Sequence, residues 1–231
     1  MSVALVRSAA KRVDAVVHEY ELEAQFRCSG SDGFINWVEN TLDVRRTANV
    51  LWNRDDPYEF KIEDSIESLE AWVRDKSKAS ESVRLVAGFC WPWSEPRPDG
   101  TLVPDVKLGN WSMPWNAKPD AGRLARDIPK STFWPSDPNG LGQVGCVYTA
   151  QGFEFDYVGI IFGPDLRYDW EQNAWIGDPS KSFDRVLRQG RDAFVDLVKN
   201  TYRVLFTRGI KGCHVYFMDE GTRRFVQSRL E

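Results

Sequence analysis

The chain has 231 residues, 42% of them hydrophobic, and a formal net charge of −4. That length supports one substantial core with room for an insertion, and no apolar run approaches the roughly 18–20 residues of a membrane span. The charge excludes a uniformly basic nucleic-acid binder, but it is uneven: Lys181 to Glu231 holds eleven Lys/Arg and six Asp/Glu, a local +5 that leaves −9 elsewhere.

In chain order, residues 4–17 form an amphipathic helix rather than a signal peptide, because Arg7, Lys11, Arg12 and Asp14 interrupt the apolar positions. His18 to Phe26 is strand-like, and Asp32 to Leu42 is helical. Tyr58 to Ile62 is a short strand. Asp64, with Glu67 three residues on, resembles a capping box, and Ile66, Leu69, Trp72 and Val73 repeat behind it at helical spacing. Val83 to Cys90 is a nearly continuous apolar run, as in a buried parallel strand. Residues 91–142 hold nine of the twelve prolines, which predicts a long irregular insertion with a short strand near Val106 to Trp111. Val144 to Thr149 and Val158 to Phe162 follow as strands. Phe183 to Thr207 is predicted as one long helix, with Leu187, Phe194, Leu197, Val198 and Leu205 near one face. Cys213 to Met218 is a buried strand and Gly221 to Leu230 a closing helix. Helices alternating with apolar strands give a single α/β domain over 1–231 with a mainly parallel sheet. The cysteines (Cys28, Cys90, Cys146, Cys213) include no CxxC pair, which points to reduced thiols in a cytoplasmic protein and away from zinc or a disulfide framework.

The chemistry concentrates in VGCVYTAQGFEFDYVGIIF, residues 144–162. Thr149, Gln151, Gly152 and Glu154 lie between two apolar strands. Ligands of open α/β sheets bind at strand carboxyl ends, so such a polar stretch is placed to touch one. The competing account is an ordinary turn with solvated side chains. Trp91 and Trp93 follow the Val83 run in CWPW, where they either stack on nucleic-acid bases or anchor loops. Trp111, Trp115, Trp134, Trp170 and Trp175 are expected to anchor the irregular segments.

TAQGFEFDYVGII resembles motif V of superfamily 1 helicases. With LEAQFRCSGSDGFINWV (22–38), VRLVAGFCWPW (83–93) and NTYRVLFTRGIKGCHVYFMD (200–219), it resembles the Schlafen group 3-like DNA/RNA helicase domain family. The four segments occur in the family's order across nearly the whole chain. The resemblance implies a RecA-like three-layer fold, specifically the C-terminal of the two RecA-like halves. It implies that Arg27 (motif IV) and Arg208 (motif VI) reach the γ-phosphate of ATP, a task suited to a permanently charged, forked guanidinium. Gln25 would sit beside them, Glu154 and Gly152 at the nucleotide, and Thr149 and Gln151 between nucleotide and nucleic acid. Lys211 receives no role.

A motor also needs GxxxxGK[ST] to hold the phosphates, and no such segment occurs; NGLGQVGC (139–146) lacks both spacing and lysine. Asp219 and Glu220 imitate a metal motif but lie beyond the motif VI match. ATP with Mg2+ is therefore expected only if an N-terminal RecA-like domain, in cis or in trans, supplies the phosphate loop. Three functions compete: a motor half that works on DNA or RNA with such a partner; a stand-alone, non-catalytic nucleic-acid- or protein-binding module; and, least supported, a nuclease using Asp105, Lys107, Glu154 and Asp156.

Overall fold

The computed structural model describes residues 3–13, 15–16, 32–53, 55–79 and 81–231. Gln25, Arg27, Cys28 and the strand-like His18–Phe26 lie outside the described residues. The sheet is built from β1 (Glu59–Ile62), β2 (Val83–Ala87), β5 (Val144–Gly145), β6 (Phe155–Phe162) and β9 (Gly209–Phe217). Its order is β1-β9-β6-β2-β5, and every pairing is parallel. The α/β class expected from the alternating pattern is thus the one observed.

Both faces of the sheet are covered. On one, α3 (Ile66–Lys78) packs Leu69 and Val73 against Val83, Leu85 and Ile161. On the other, α2 (Asp32–Thr41), α6 (Phe194–Phe206) and α7 (Glu220–Gln227) cover Val158, Ile160, Phe162, Cys213 and Val215. The alternation along β6 therefore divides its side chains between two cores, which is why it reads as continuously apolar. Strand β9 alternates likewise and places the buried His214 on the α3 side. Its Nδ1 lies 2.7 Å from Glu63 and its Nε2 2.9 Å from Glu59, while its ring stacks on Trp72 at 3.7 Å. These contacts tie the end strand β1 to both β9 and α3.

Several local expectations are corrected. The capping box lies one residue later than Asp64/Glu67: Ser65 caps α3, with reciprocal bonds to Ser68. Asp64 instead pairs with Arg223. Val144–Thr149 is not one strand. Pairing stops at Gly145, and the Cys146 N–H donates to Thr149 Oγ1 to open the short helix α4 (Val147–Ala150). The long helix over 183–207 is broken into α5 (Arg185–Gln189), a 3-10 turn and α6, because Gly190 ends α5 and Arg191 adopts φ +44°. A hairpin of β7 (Leu166–Asp169) and β8 (Ala174–Gly177), closed through Asn173 at φ +50°, was not predicted.

The insertion is irregular but firmly attached. It contains a small hairpin, β3 (Val106–Leu108) with β4 (Trp111–Met113), and its indoles act as anchors. Trp111 donates to Glu70, Trp115 to the Pro92 carbonyl and Trp134 to the Gly140 carbonyl. Elsewhere Trp170 donates to Gly221 O and Trp175 to Thr41 O. Trp134 is fully buried and packs so closely on Gly145 that a Cβ there would lie 2.1 Å from the ring. Its carbonyl accepts from Arg84 Nε at 2.8 Å, and the Asp137 carbonyl accepts from Arg84 Nη2 at 2.7 Å. Burial pulls the Arg84 guanidinium down to about 10, opposed by the Asp137 charge, so it is still cationic at neutral pH.

Beyond the carboxyl ends of β2 and β6 lies a buried polar cluster. Tyr202 donates to Asp165 at 2.7 Å and accepts from the Gly163 N–H at 2.8 Å, with Cys90 alongside. Burial raises the Asp165 carboxyl above its usual range, against the hydrogen bonds from Tyr202 and Cys90. Cys90, Cys146 and Cys213 are all buried. No described helix is long and apolar enough to cross a membrane.

Two stability outcomes follow. Trp134→Ala should lower unfolding free energy in denaturant titration by about 3–5 kcal/mol, the usual cost of emptying a buried aromatic site. A group with a raised native pKa contributes stability at low pH that is lost as pH rises through that pKa. Asp165→Asn, which cannot ionise, should therefore raise the melting temperature at pH 7.5, and the gain should shrink as pH falls towards 4.

Candidate functional site

The motif V segment begins at the carboxyl end of β5, but its polar residues do not stay there. Helix α4 and the turn after it return the chain to the amino end of β6, so Gly152 and Glu154 lie at the opposite edge of the sheet from the one expected. Gly152 makes this turn at φ +91°, a left-handed conformation that a side chain would strain. Arg208 precedes β9 at the same edge. The Phe155 N–H donates to the Arg208 carbonyl at 2.9 Å, and Phe155 is in register with Gly209. The two segments that the sequence singled out, 149–154 and 208–211, are therefore neighbours in space.

Arg208 is only 3% exposed. Its Nε donates to Val204 O at 2.9 Å and its Nη1 to Phe153 O at 3.2 Å. In this conformation the guanidinium braces the end of α6 and the Gly152–Glu154 turn rather than extending into solvent. These bonds commit the Nε donor and one Nη1 donor of the guanidinium. Lys211 lies on the open surface, 2.6 Å from Glu81 and 3.0 Å from Asp156. Hydrogen bonds that it donates to Glu81 and Asp156 raise its pKa, so it is a committed ion-pair member.

Glu154 is exposed and borders a cleft of about 560 Å³ with Arg84, Ser82, Glu81, Phe153 and Leu141. Clefts that hold small ligands are of this size. Asp156 accepts from the Ser82 N–H and Oγ at 2.8 and 2.9 Å. Burial opposes its ionisation, but those bonds and Lys211 keep its carboxyl below the usual range. Asp105 accepts twice from Ser94. Neither aspartate joins Glu154 in a metal-binding cluster, and among the described residues no such cluster of three forms. Asp219 caps α7 through the Thr222 N–H and hydroxyl, and Glu220 faces Arg223.

Thr149 is buried and donates to Asn116 Oδ1 at 3.0 Å, joining α4 to the insertion; Gln151 is exposed just beyond it. Trp91 and Trp93 are half-buried, and their indole N–H groups donate to Lys107 O and Asn116 O. Their rings pack on Trp115 at 6.1 and 6.2 Å. Both therefore anchor the insertion, and only Trp93 also reaches an open groove, of about 510 Å³. Tyr148 and Phe153 line that groove as well. Sequence reasoning missed both, although they flank Thr149 and Gly152 within the same motif. Asp184 was missed too: it accepts from Tyr148 Oη at 2.7 Å and caps α5 through the Val186 and Leu187 N–H groups.

Three comparisons bear on this arrangement. An uncharacterized protein of Saccharomyces cerevisiae is 25% identical over 224 residues, covering 88% of this chain and 46% of the yeast protein. The chain thus spans about half the length of that relative. A solved structure described as the C-terminal domain of a possible DNA helicase from Lactobacillus plantarum overlaps 90% of this chain and 98% of its own at 12% identity and a TM-score of 0.35, a loose likeness that adds nothing to the fold above. The family described as Schlafen group 3, DNA/RNA helicase domain, matches residues 2–219, and that span places the chain in the Schlafen group 3 DNA/RNA helicase domain family.

Proposed function

We propose that this domain works as the C-terminal RecA-like half of a superfamily 1-type DNA/RNA helicase or nucleic-acid-dependent ATPase. It would supply one wall of an ATP site whose floor is an N-terminal RecA-like domain bearing the phosphate loop. The observation that carries this reading is the meeting of Arg208 with the Gly152–Glu154 turn beside an open cleft. Two segments 55 residues apart converge there, and both bear motifs that the resemblance links to the nucleotide.

The residues present suit a wall and not a floor. Glu154 offers a carboxylate to a ribose hydroxyl, and Arg208, once freed from Phe153 O, offers a fork to phosphate oxygen. Mg2+ and the phosphate-cradling amides would come from the partner half, and ATP would be held between the two. Thr149 and Gln151 would relay between this edge and a bound strand. Arg27 and Gln25 keep the roles that the resemblance implies.

A second reading has its own support. Arg208 is tied to two carbonyls and Trp91 and Trp93 to two more, as they would be in a domain kept for binding alone. Reconstitution separates the two. The chain, mixed with a phosphate-loop half from the same family, should raise nucleic-acid-stimulated ATPase. Arg208→Ala should lower that rate by at least about a thousandfold, the lower end of the range lost when a phosphate-facing arginine is removed. Glu154→Ala, an exposed change that spares the fold, should raise KM for ATP about tenfold with a smaller effect on kcat, as expected for lost ground-state binding. An Arg208→Ala protein with native circular dichroism and an undiminished rate would favour the binding-only reading.

A further inference from the structure

The groove of about 510 Å³ between α4 and the insertion has no part in the nucleotide site. We propose that it is a stacking pocket for an unpaired base of a single-stranded nucleic acid. This rests on the reading that the domain works on nucleic acid, and deepens it by naming where a base is held.

The groove is lined by Trp93, Pro119, Ser131, Tyr148, Thr149 and Phe153, among others. Tyr148 is 51% and Phe153 42% exposed, large values for aromatic side chains in a domain that buries Trp115 and Trp134 almost completely. Tyr148 is not loose. Its hydroxyl is fixed by Asp184 at 2.7 Å, and its ring packs edge-on to Phe89 at 6.4 Å. Burial, then the Asp184 hydrogen bond and charge, push the phenol well up, so it keeps its proton and the bond persists at any physiological pH. One face of a rigid ring is thereby left open, an arrangement that binds a flat partner with little loss of side-chain freedom. Phe153 is fixed at its backbone, where its carbonyl receives Arg208.

Charge indicates what kind of flat partner. The segment from Pro119 to Ser131, both ends of which line the groove, carries Arg123, Arg126 and Lys130 against Asp120 and Asp127, a net +1. All three are exposed and, among the described residues, form no ion pair, whereas Lys118 pairs with Glu95 and Lys211 with Glu81 and Asp156. A net-positive segment that ends on both sides in an aromatic groove, in a chain of net charge −4, matches a strand with phosphates outside and a base inside. The hydroxyls of Ser131 and Thr132 stand in the same lining to meet base edges. Phe153 also borders the Glu154 cleft, so base and nucleotide would meet at opposite sides of one side chain.

The test is fluorescence anisotropy of the full chain against a labelled oligothymidylate of about twenty nucleotides and an abasic strand of equal length, at about 20 mM salt. The thymidylate should bind at least about fivefold more tightly. Phe153→Ala should remove most of that preference and Phe153→Tyr retain it. Arg123→Ala/Arg126→Ala/Lys130→Ala should flatten the log-log salt slope by about 2 for both strands. Equal affinity of the wild-type chain for thymidylate and abasic strands would overturn the stacking pocket while leaving nucleic-acid binding intact. No affinity for either strand at this salt would overturn the nucleic-acid reading and the pocket together.

Discussion

Arg208 is a permanent cation in a nearly closed position, and the surrounding backbone is arranged to satisfy it. A guanidinium cannot shed its charge when buried, so acceptors must be brought to it. Here they are the last turn of α6, through Val204 O, and the motif V turn, through Phe153 O. The arginine's own carbonyl accepts from the Phe155 N–H, so the starts of β6 and β9 are locked on both sides. Everything that faces a ligand at this edge, Glu154 included, takes its position from that exchange. An anion that drew the guanidinium away from Phe153 O would loosen the turn it now holds.

That segment is also the shared wall of two clefts. Phe153 borders both the Glu154 cleft and the aromatic groove, and Thr149, three residues before Gly152, is bonded to Asn116 of the insertion. The insertion is in turn fixed to the sheet by Trp134 over Gly145 and by the buried Arg84 beneath its backbone. A displacement of the Gly152–Glu154 turn would be felt in the groove because no flexible element intervenes. Coupling between nucleotide and strand would then pass through a few packed side chains and not through a distant conformational change.

Much of this was legible in the sequence. The apolar strands around residues 83–87, 155–162 and 209–217, the helices at 32–41 and 66–78, and the proline-rich insertion all follow from periodicity and composition. Motif order located Arg208 and Glu154, and the structure brings their segments together. What was illegible depended on contacts between distant residues. That Thr149 would cap a short helix, and so turn a predicted strand into α4, depends on one hydroxyl reaching the Cys146 N–H. The break at Gly190 and Arg191 overrides a helical pattern that is otherwise continuous. Sequence left Trp91 and Trp93 open between base stacking and loop anchoring; their indole N–H groups donate to carbonyls of residues 107 and 116. The exposure of Tyr148, on α4, and of Phe153, in the turn after it, depends on that unpredicted helix and turn.

The central claim is that this chain is one wall of a nucleotide site completed by another domain. Fluorescent-ATP titration tests it most directly, comparing a phosphate-loop half alone, this chain alone, and the two together with a single strand. Tight binding only in the mixture, weakened by Glu154→Ala in this chain, is the predicted result. Identical nucleotide affinity with and without this chain, under conditions where the two halves demonstrably associate, would contradict it.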